Sequence, residues 1–576
     1  MCAISNRRRF LFERADTLSI AFGTVYFAIT FGLQKLNPGN IAWLTNSDHH
    51  AGYLGWRFFA QDSWRWPPGV FSGYGWRGDL SIVNSGLGLW DVGLKVLNFK
   101  ITDEGQSWGL LSLLSVLVLF VLTARLFREL GLSQTQAQIG SVILSTTPLF
   151  WWTQRLWLNF SMMAPLLVIA IYLYIQDRRE SMFSIFKWLV LLFLAAGMNP
   201  FFLFLILPLF SVTLVHQALS PKTNMFWLAV KVACTPLVIA SAFYLVGYLD
   251  DSGVPLRSSG WGVFSTNILG LLDPNGVSWL LPDLPSFPLQ YDAVYLGTGA
   301  VFLFVVTLSL LFRVHESLLK VIRRHWLLSI CLSAMWLFSL STYLSFGKHV
   351  YRIPIPVRLE NWLGIFRSSS RFAYPFIVGL VILLVVIVSR IPKYGTYLLL
   401  LAMLIQVFDM SNSLRYTARQ ANGEALPIEY DEILWNAVPF QYGKIAIHPV
   451  WNAPDGWDEC AYAAVQTERE TNCAYFARAS APELNSTNER ESLRLLIGDY
   501  NESSIYWLSS EFVRENLEEL DAMLNIPENG FAFPRESSAT FGDIVFFFPN
   551  CEQYQKCAFL DKRRVEFAQI VEYIQE

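Results

Sequence analysis

Charged side chains are scarce in this chain. Asp, Glu, Lys and Arg make up 15% of its 576 residues, where soluble domains carry about 25%. That shortage excludes an ordinary soluble protein, and a 53% hydrophobic share points to a membrane protein. A net charge of −3 leaves no field for binding nucleic acid. No P-loop, G-x-S-x-G or H-E-x-x-H sequence occurs. No C-x₂₋₄-C pair offers a structural zinc site. No A-x-A-like site follows the first apolar run, so no cleaved signal peptide is expected. The apolar runs hold almost no charge at mid-depth, which argues against a proton- or sodium-driven carrier.

What is present is a series of about eleven apolar runs, each near the ~20 residues that cross a bilayer. The first is Thr17–Leu36, the third Ala137–Trp151, the fifth Ile185–Met198, the eighth Val294–Phe312 and the last Tyr397–Met410. The third and fifth are short enough to be tilted or broken. Arg7, Arg8, Arg9 and Arg14 precede the first run, and the turns at Arg125–Glu129, Asp177–Glu180, Pro221–Lys222, Arg313–Arg324 and Arg390–Lys393 all carry Lys or Arg. The positive-inside rule then gives a multi-pass inner (plasma) membrane protein with a cytoplasmic N-terminus and an extracytoplasmic C-terminus. Lys187 and Lys231 lie near cytoplasmic ends and are expected to snorkel. Arg155, Arg371 and Asp409 lie at outer ends.

Two outer loops are long, 37–106 and 250–292, and long loops on one side are where function collects. The first contains the densest chemistry, TNSDHHAGYLGWRFFAQDSWRWPPG from Thr45 to Gly69. Asp48, His49 and His50 open an aromatic helical segment, and Asp62 leads to the stop signal Pro67-Pro68-Gly69. At helical spacing Asp48, Gly52, Trp56 and Phe59 share a face. Two readings stay open: an interfacial aromatic anchor, or a helix presenting Asp48 to a reaction centre above the bilayer. His49 and His50 project apart on a helix, so a metal bound by both is not expected. The second loop carries an Asp-Pro-Asn-Gly breaker. A third, moderate loop ends in FRSSSRFAYP, where Arg367 and Arg371 flank three serines. Arginine forks fit phosphate oxygens, and they serve equally as lipid-headgroup anchors. Gly73-Tyr-Gly75-Trp-Arg-Gly78 matches G-x-G-x-x-G but follows no strand, and reads as an interfacial turn.

From Ser411 the composition turns polar and acidic. Lys444–His448, Ala474–Ala477, Ser504–Leu508 and Ile544–Phe548 read as strands. Glu511–Leu524 behind Ser510, and Asp561–Ile574, read as helices, while Asn488–Ile497 stays unassigned. The alternation predicts a small α/β domain over 411–576, following a membrane domain over 1–410. Cys460, Cys473, Cys551 and Cys557 all fall in it, an even number suited to an oxidising compartment. Three pairings are open, and short loops favour Cys460–Cys473 with Cys551–Cys557. Asn485 and Asn501 stand in glycosylation sequons.

An Asp shortly after the first span in a long outer loop, many spans and a C-terminal outer domain resemble the GT-C superfamily of membrane glycosyltransferases. The stretches DHHAGYLGWRFFAQDSWRWPPG, NILGLLDPNGVSWLLPDLP with QYDAVYLGTG, and RSSSRFAYP look like a bacterial polytopic branch of that superfamily. The branch tends to place another acid after Ser81; here Asn84-Ser85 stand nearby. The resemblance implies a GT-C-like helical bundle and transfer of a sugar from a polyprenyl-phosphate donor to an extracytoplasmic glycan, lipid or protein acceptor. On that reading Asp48 is the base, Arg367 and Arg371 meet the leaving phosphate, and His49 and Asp62 hold the sugar or a divalent metal, Mg or Mn. Membrane lipids are the remaining partner. The rival readings are a non-enzymatic lipid or polysaccharide transporter and a membrane assembly scaffold.

Overall fold

The structure, a computed structural model, describes residues 14–44, 48–75, 79–82, 86–97, 105–150, 162–177, 182–221, 224–249, 261–285, 294–421, 435, 438, 440–450, 456–475, 482–524, 530–535 and 544–549. Cys551, Cys557, the expected helix at 561–574 and Asn84-Ser85 lie outside the described residues, as does Arg155.

The apolar runs fold as helices that pack on one another. In chain order these are α1 (Arg14–Thr30), α2 (Asp48–Gln61), α3 (Leu89–Val96), α4 (Trp108–Glu129), α5 (Gln134–Ser145), α6 (Met163–Gln176), α7 (Met182–Met198), α8 (Pro200–Ala218) and α9 (Met225–Leu245). Then come α10 (Thr298–Ser309), α11 (Leu311–Arg324), α12 (Trp326–Ser339), α13 (Val357–Leu363), α14 (Ala373–Ser389) and α15 (Gly395–Ala421). Among the described residues four helices are long and apolar enough to cross a membrane, or five with the bent pair α10–α11. Five shorter apolar helices accompany them. α14 is apolar all round and 72% buried, which makes it the central helix. α9 is only 11% buried and turns its side chains outward, as a lipid-facing helix does.

Several expectations need correction. The third run is broken, as its shortness allows: its helix covers Gln134–Ser145 and stops at Thr146-Thr147, whose hydroxyls turn back to backbone carbonyls, and helix resumes at 148–150. The basic stretch at Arg313–Arg324 is no loop: it is α11, bent 106° from α10. Its charges recur on one side and its apolar residues on the other, so periodicity wins over charge content. Lys231 does not snorkel. It is buried, hydrogen-bonded to Gln217 Oε1 at 2.9 Å and 3.8 Å from Asp177. Asp409, buried in α15, accepts from Ser278 Oγ at 2.8 Å and from the Trp279 and Leu280 amides at 2.8 and 2.7 Å. It pins the Asp-Pro-Asn-Gly loop to the bundle.

The remaining strands and helices complete the chain. β1 (Val70–Phe71) and β2 (Leu80–Ser81) form a hairpin against the end of α9, where Gly69 N donates to Leu245 O and Ser81 Oγ to Val246 O. β3 (Tyr343–Phe346) and β4 (His349–Arg352) form a second. The C-terminal unit is a five-stranded sheet of β5 (Lys444–His448), β6 (Glu470–Thr471), β7 (Ser504–Ser509), β8 (Gly530–Arg535) and β9 (Ile544–Pro549), in the order β6-β5-β7-β9-β8. The first three strands of that order are parallel and the last two antiparallel to their neighbours. Helices α16 (Trp457–Gln466), α17 (Pro482–Leu496), α18 (Ser510–Glu515) and α19 (Leu517–Leu524) join them. Three strand expectations land on β5, β7 and β9. Of the one at Ala474–Ala477, Ala474 and Tyr475 are in no strand and the rest lies outside the described residues; pairing occurs earlier, at Glu470–Thr471. The helix at Glu511–Leu524 is capped by Ser509 rather than Ser510 and is broken at Asn516. Trp435 stacks on Trp507 within this core, and Phe546 meets both edge-on.

Candidate functional site

α2 begins at Asp48 and is held from three sides. Its aromatic body faces protein: Tyr53, Trp56, Phe58 and Phe59 are all buried, so the interfacial aromatics of this loop are instead Trp64 and Trp66, 53% and 76% exposed. Beneath it lies Trp108, the first residue of α4, whose ring packs directly against Gly52; a side chain at Gly52 would overlap that ring. On its outer side α16 of the C-terminal unit packs along it. Gln61 Nε2 donates to Val465 O at 3.1 Å, and Tyr74 bridges to Thr471.

The two histidines diverge as their spacing requires. His49 points to Trp43, with ring centroids 6.2 Å apart. His50 points to the C-terminal unit, its Nδ1 3.5 Å from Asp458 Oδ2 and its ring 5.9 Å from that of Trp457. Burial works against the charge on Asp458, but the hydrogen bond and charge of His50 and the amides at the start of α16 outweigh it and hold the carboxyl below its ordinary value. Trp43 Nε1, His50 Nε2 and Asp458 Oδ1 are buried without a hydrogen-bond partner among the described residues. Buried polar atoms are almost always paired; here Trp43 Nε1 lies on the His49 side of the helix and the other two on the His50 side.

Beside them is a residue that sequence reasoning passed over. Lys35 lies beyond the end of α1, in the turn Leu33–Leu36, and is 6% exposed. Its ammonium sits 4.2 Å from the Trp43 ring centre and 5.4 Å from that of Phe31. No carboxylate or hydrogen-bond acceptor pairs with it among the described residues. Its backbone is fixed, because Gln106 Nε2 donates to Lys35 O at 2.8 Å and Gly109 allows that carbonyl to approach α4. The signal was in the sequence, as a lone lysine in the tail of the first apolar run.

Asp62 stands at the far end of α2, about 20 Å from Asp48 at ~1.5 Å per residue. It is occupied there. Arg65 Nε lies 2.7 Å from its Oδ2, and Ser72 N donates to the same oxygen at 3.0 Å. Near it Lys95 donates to Phe59 O at 2.6 Å, and burial draws that ammonium down to about 8. Asp91, in α3, accepts from Leu87 N at 2.5 Å; burial pushes its carboxyl up to about 7. It closes the start of its own helix, where Gly88 takes a φ of +53° to pass the Gly197 carbonyl.

Arg367 and Arg371 sit at the mouth of α14. Arg367 lies over Phe264 at 5.2 Å and Arg371 over Phe201 at 5.4 Å. The serines between them tie the segment down, with Ser369 Oγ donating to Ser339 O and Ser370 N to Phe264 O. The site thus brings His49 and His50 to the first turn of α2, leaves Asp62 at the other end, and sets the arginine pair in the segment between α13 and α14. Among the described residues no three His, Cys, Asp or Glu side chains group as metal ligands.

The fold is GT-C-like. It superposes on the arabinofuranosyltransferase AftD from Mycobacteria with a TM-score of 0.52 at 12% identity, over 94% of this chain and 40% of that one. The chain therefore spans about 40% of AftD. It superposes on ArnT from Cupriavidus metallidurans bound to undecaprenyl phosphate with a TM-score of 0.51 at 11% identity, over 92% of this chain and 97% of that one. Both are GT-C glycosyltransferases. No curated protein matches the sequence. Residues 434–525 match the model described as DUF6311 C-terminal domain. Residues 20–411 match the one described as Domain of unknown function (DUF6311), and the chain belongs to that family.

Proposed function

We propose that the protein is a membrane glycosyltransferase that moves a sugar from a polyprenyl-phosphate donor to an acceptor outside the cytoplasm. The observation that carries this reading is the buried Lys35, which has no acceptor among the described residues, beside the first turn of the helix that opens with Asp48, in a fold like that of ArnT. A buried cation without a counter-charge costs several kcal/mol, and a leaving phosphate is the group that would offset it.

The chemistry needs few parts. Asp48 takes the proton of the acceptor hydroxyl, the acceptor oxygen attacks the anomeric carbon from the face opposite the phosphate, and the phosphate leaves with the bonding pair. Lys35 meets that phosphate, with Arg367 and Arg371 as the other cations available to it. His49 and His50 flank the sugar, and the C-terminal unit, through α16, orients the acceptor. The basic turns lie in the cytoplasm and both α2 and the C-terminal unit lie outside, which is the arrangement the Lys and Arg distribution favours.

The test is label transfer from a polyprenyl-phosphate sugar to extracytoplasmic glycan in membranes carrying wild-type or Asp48→Asn protein. A positioned base contributes about 10²–10⁴-fold, so Asp48→Asn is expected to insert normally and lose transfer on that scale. Transfer at the wild-type rate refutes the assignment of the base. Movement of the lipid across vesicles without sugar transfer by the wild type refutes the enzyme and favours a transporter.

A further inference from the structure

The far end of the bundle holds a separate cavity. α4 runs ~30 Å from Trp108, under α2, to Glu129 at ~1.5 Å per residue. Beside Glu129 a cavity of about 310 Å³ opens between α6, α12 and α14. Its walls are apolar, represented by Ile175, Leu332 and Leu383, and its rim carries Arg324, Arg390 and Glu129. The volume is at the low end for ligand pockets.

α11 frames this opening. It turns 106° from α10 and runs across the end of the bundle. Phe312 at its start is 94% exposed and Ile322 36%, while Arg313, Lys320, Arg323 and Arg324 outnumber the helix's single acid, Glu316. A basic amphipathic helix of this kind lies in the plane of a membrane surface, apolar face inward. Arg324 closes it at the rim of the cavity. The Arg390 guanidinium, across the opening, has no ion-pair partner among the described residues.

We propose that this cavity holds one acyl chain of an acidic phospholipid, with its phosphate gripped by Arg324 and Arg390. An apolar cavity open at a membrane surface is filled by hydrocarbon rather than water. The rim fixes the headgroup: two arginine forks match a phosphodiester, and the one rim carboxylate, Glu129, leaves the opening net positive. A neutral headgroup would leave that charge unanswered. The lipid site is independent of the proposed transferase reaction and lies in the other leaflet from α2.

The test is native mass spectrometry of the full chain, delipidated in detergent and titrated with phosphatidylglycerol and with phosphatidylcholine of the same chains. Each basic residue at such a surface is worth about fivefold in binding. Phosphatidylglycerol should bind at least tenfold tighter, and Arg324→Gln and Arg390→Gln should each erase about fivefold of that preference. Arg313→Gln and Lys320→Gln, on the same helix but away from the cavity, should leave it unchanged. Ser329→Trp, which fills the cavity, should abolish saturable binding of both lipids; Leu383→Phe serves if that variant fails to fold. Equal binding of the two lipids overturns the proposal. So does a loss in Lys320→Gln as large as in Arg390→Gln, which would mean diffuse charge. Displacement by millimolar inorganic phosphate alone would mean a phosphate site without a lipid, and overturns it too.

Discussion

His50 Nδ1 lies 3.5 Å from Asp458 Oδ2, and this pair of a buried histidine and a part-buried aspartate joins the helix that opens with Asp48 to the C-terminal unit. Removing one partner of such a pair strands the other in the interior. Asp458→Asn is expected to destabilise the protein, and a double-mutant cycle with His50→Gln should give a coupling of about 0.5–3 kcal/mol. The Asp458 carboxyl is held below its unfolded value. Its contribution is therefore complete above about pH 4 and is lost as pH falls through the lower, folded value. A coupling near zero at pH 7 would show that the contact does not hold the two units together.

The disulfide Cys460–Cys473 braces the same junction. It ties α16, which packs on α2, to the end of β6, where Thr471 N donates to Gly73 O at 2.8 Å. The bond spans 13 residues, and a loop of about that length confers ~3 kcal/mol. In denatured protein without reductant, Cys460 and Cys473 should resist alkylation while Cys234 and Cys331 label. Cys460→Ala with Cys473→Ala should lower the melting temperature and expose the α2 contact to protease. Full labelling of Cys460 before reduction would remove the bond from this account.

Asp91 predicts an unusual pH slope. Burial pushes its carboxyl up to about 7, against about 3.9 in an unfolded chain. The folded state keeps a proton that the unfolded state releases, so stability falls as pH rises from about 4 to about 7 and is level beyond that. The upper bound is about 4 kcal/mol. Asp91→Asn should remove the slope and be the more stable protein at pH 8. Identical melting profiles of the two proteins from pH 5 to pH 8 would show that the carboxyl ionises freely.

Much of this architecture is legible in the sequence because its signals are local. Apolar run length gives the long helices, short apolar runs give β5, β7 and β9, and a short loop gives the Cys460–Cys473 bond. α11 was hidden because its charges look like a turn when counted and like a helix only when spaced. α17 was hidden because its polar residues give little apolar period. The surroundings of α2 were illegible for another reason: Lys35, Trp108 and Asp458 reach it from far along the chain, and no local pattern announces a tertiary neighbour. Asp62, expected with His49 to hold the sugar or a metal, follows the last residue of a 14-residue helix, which sets it at the opposite end from Asp48.

Two sets of cations could meet the phosphate of the proposed donor. Lys35 is buried on Trp43 and Phe31 near the first turn of α2, whereas Arg371 lies over Phe201 at the mouth of α14. Replacing a buried unpaired charge with an apolar side chain of similar length removes a desolvation cost. Lys35→Met should therefore fold and melt at or above the wild-type temperature. A hydrogen bond to a charged group contributes about 1.5–3 kcal/mol, so the same variant should bind polyprenyl phosphate about 10–100-fold more weakly. Arg371→Lys keeps the charge but loses the planar fork. If Arg371 is the principal grip, that variant carries the loss and Lys35→Met binds normally. A melting temperature that rises in Lys35→Met while lipid-phosphate binding stays at the wild-type level would leave Lys35 as packing alone and move the phosphate to the arginine pair.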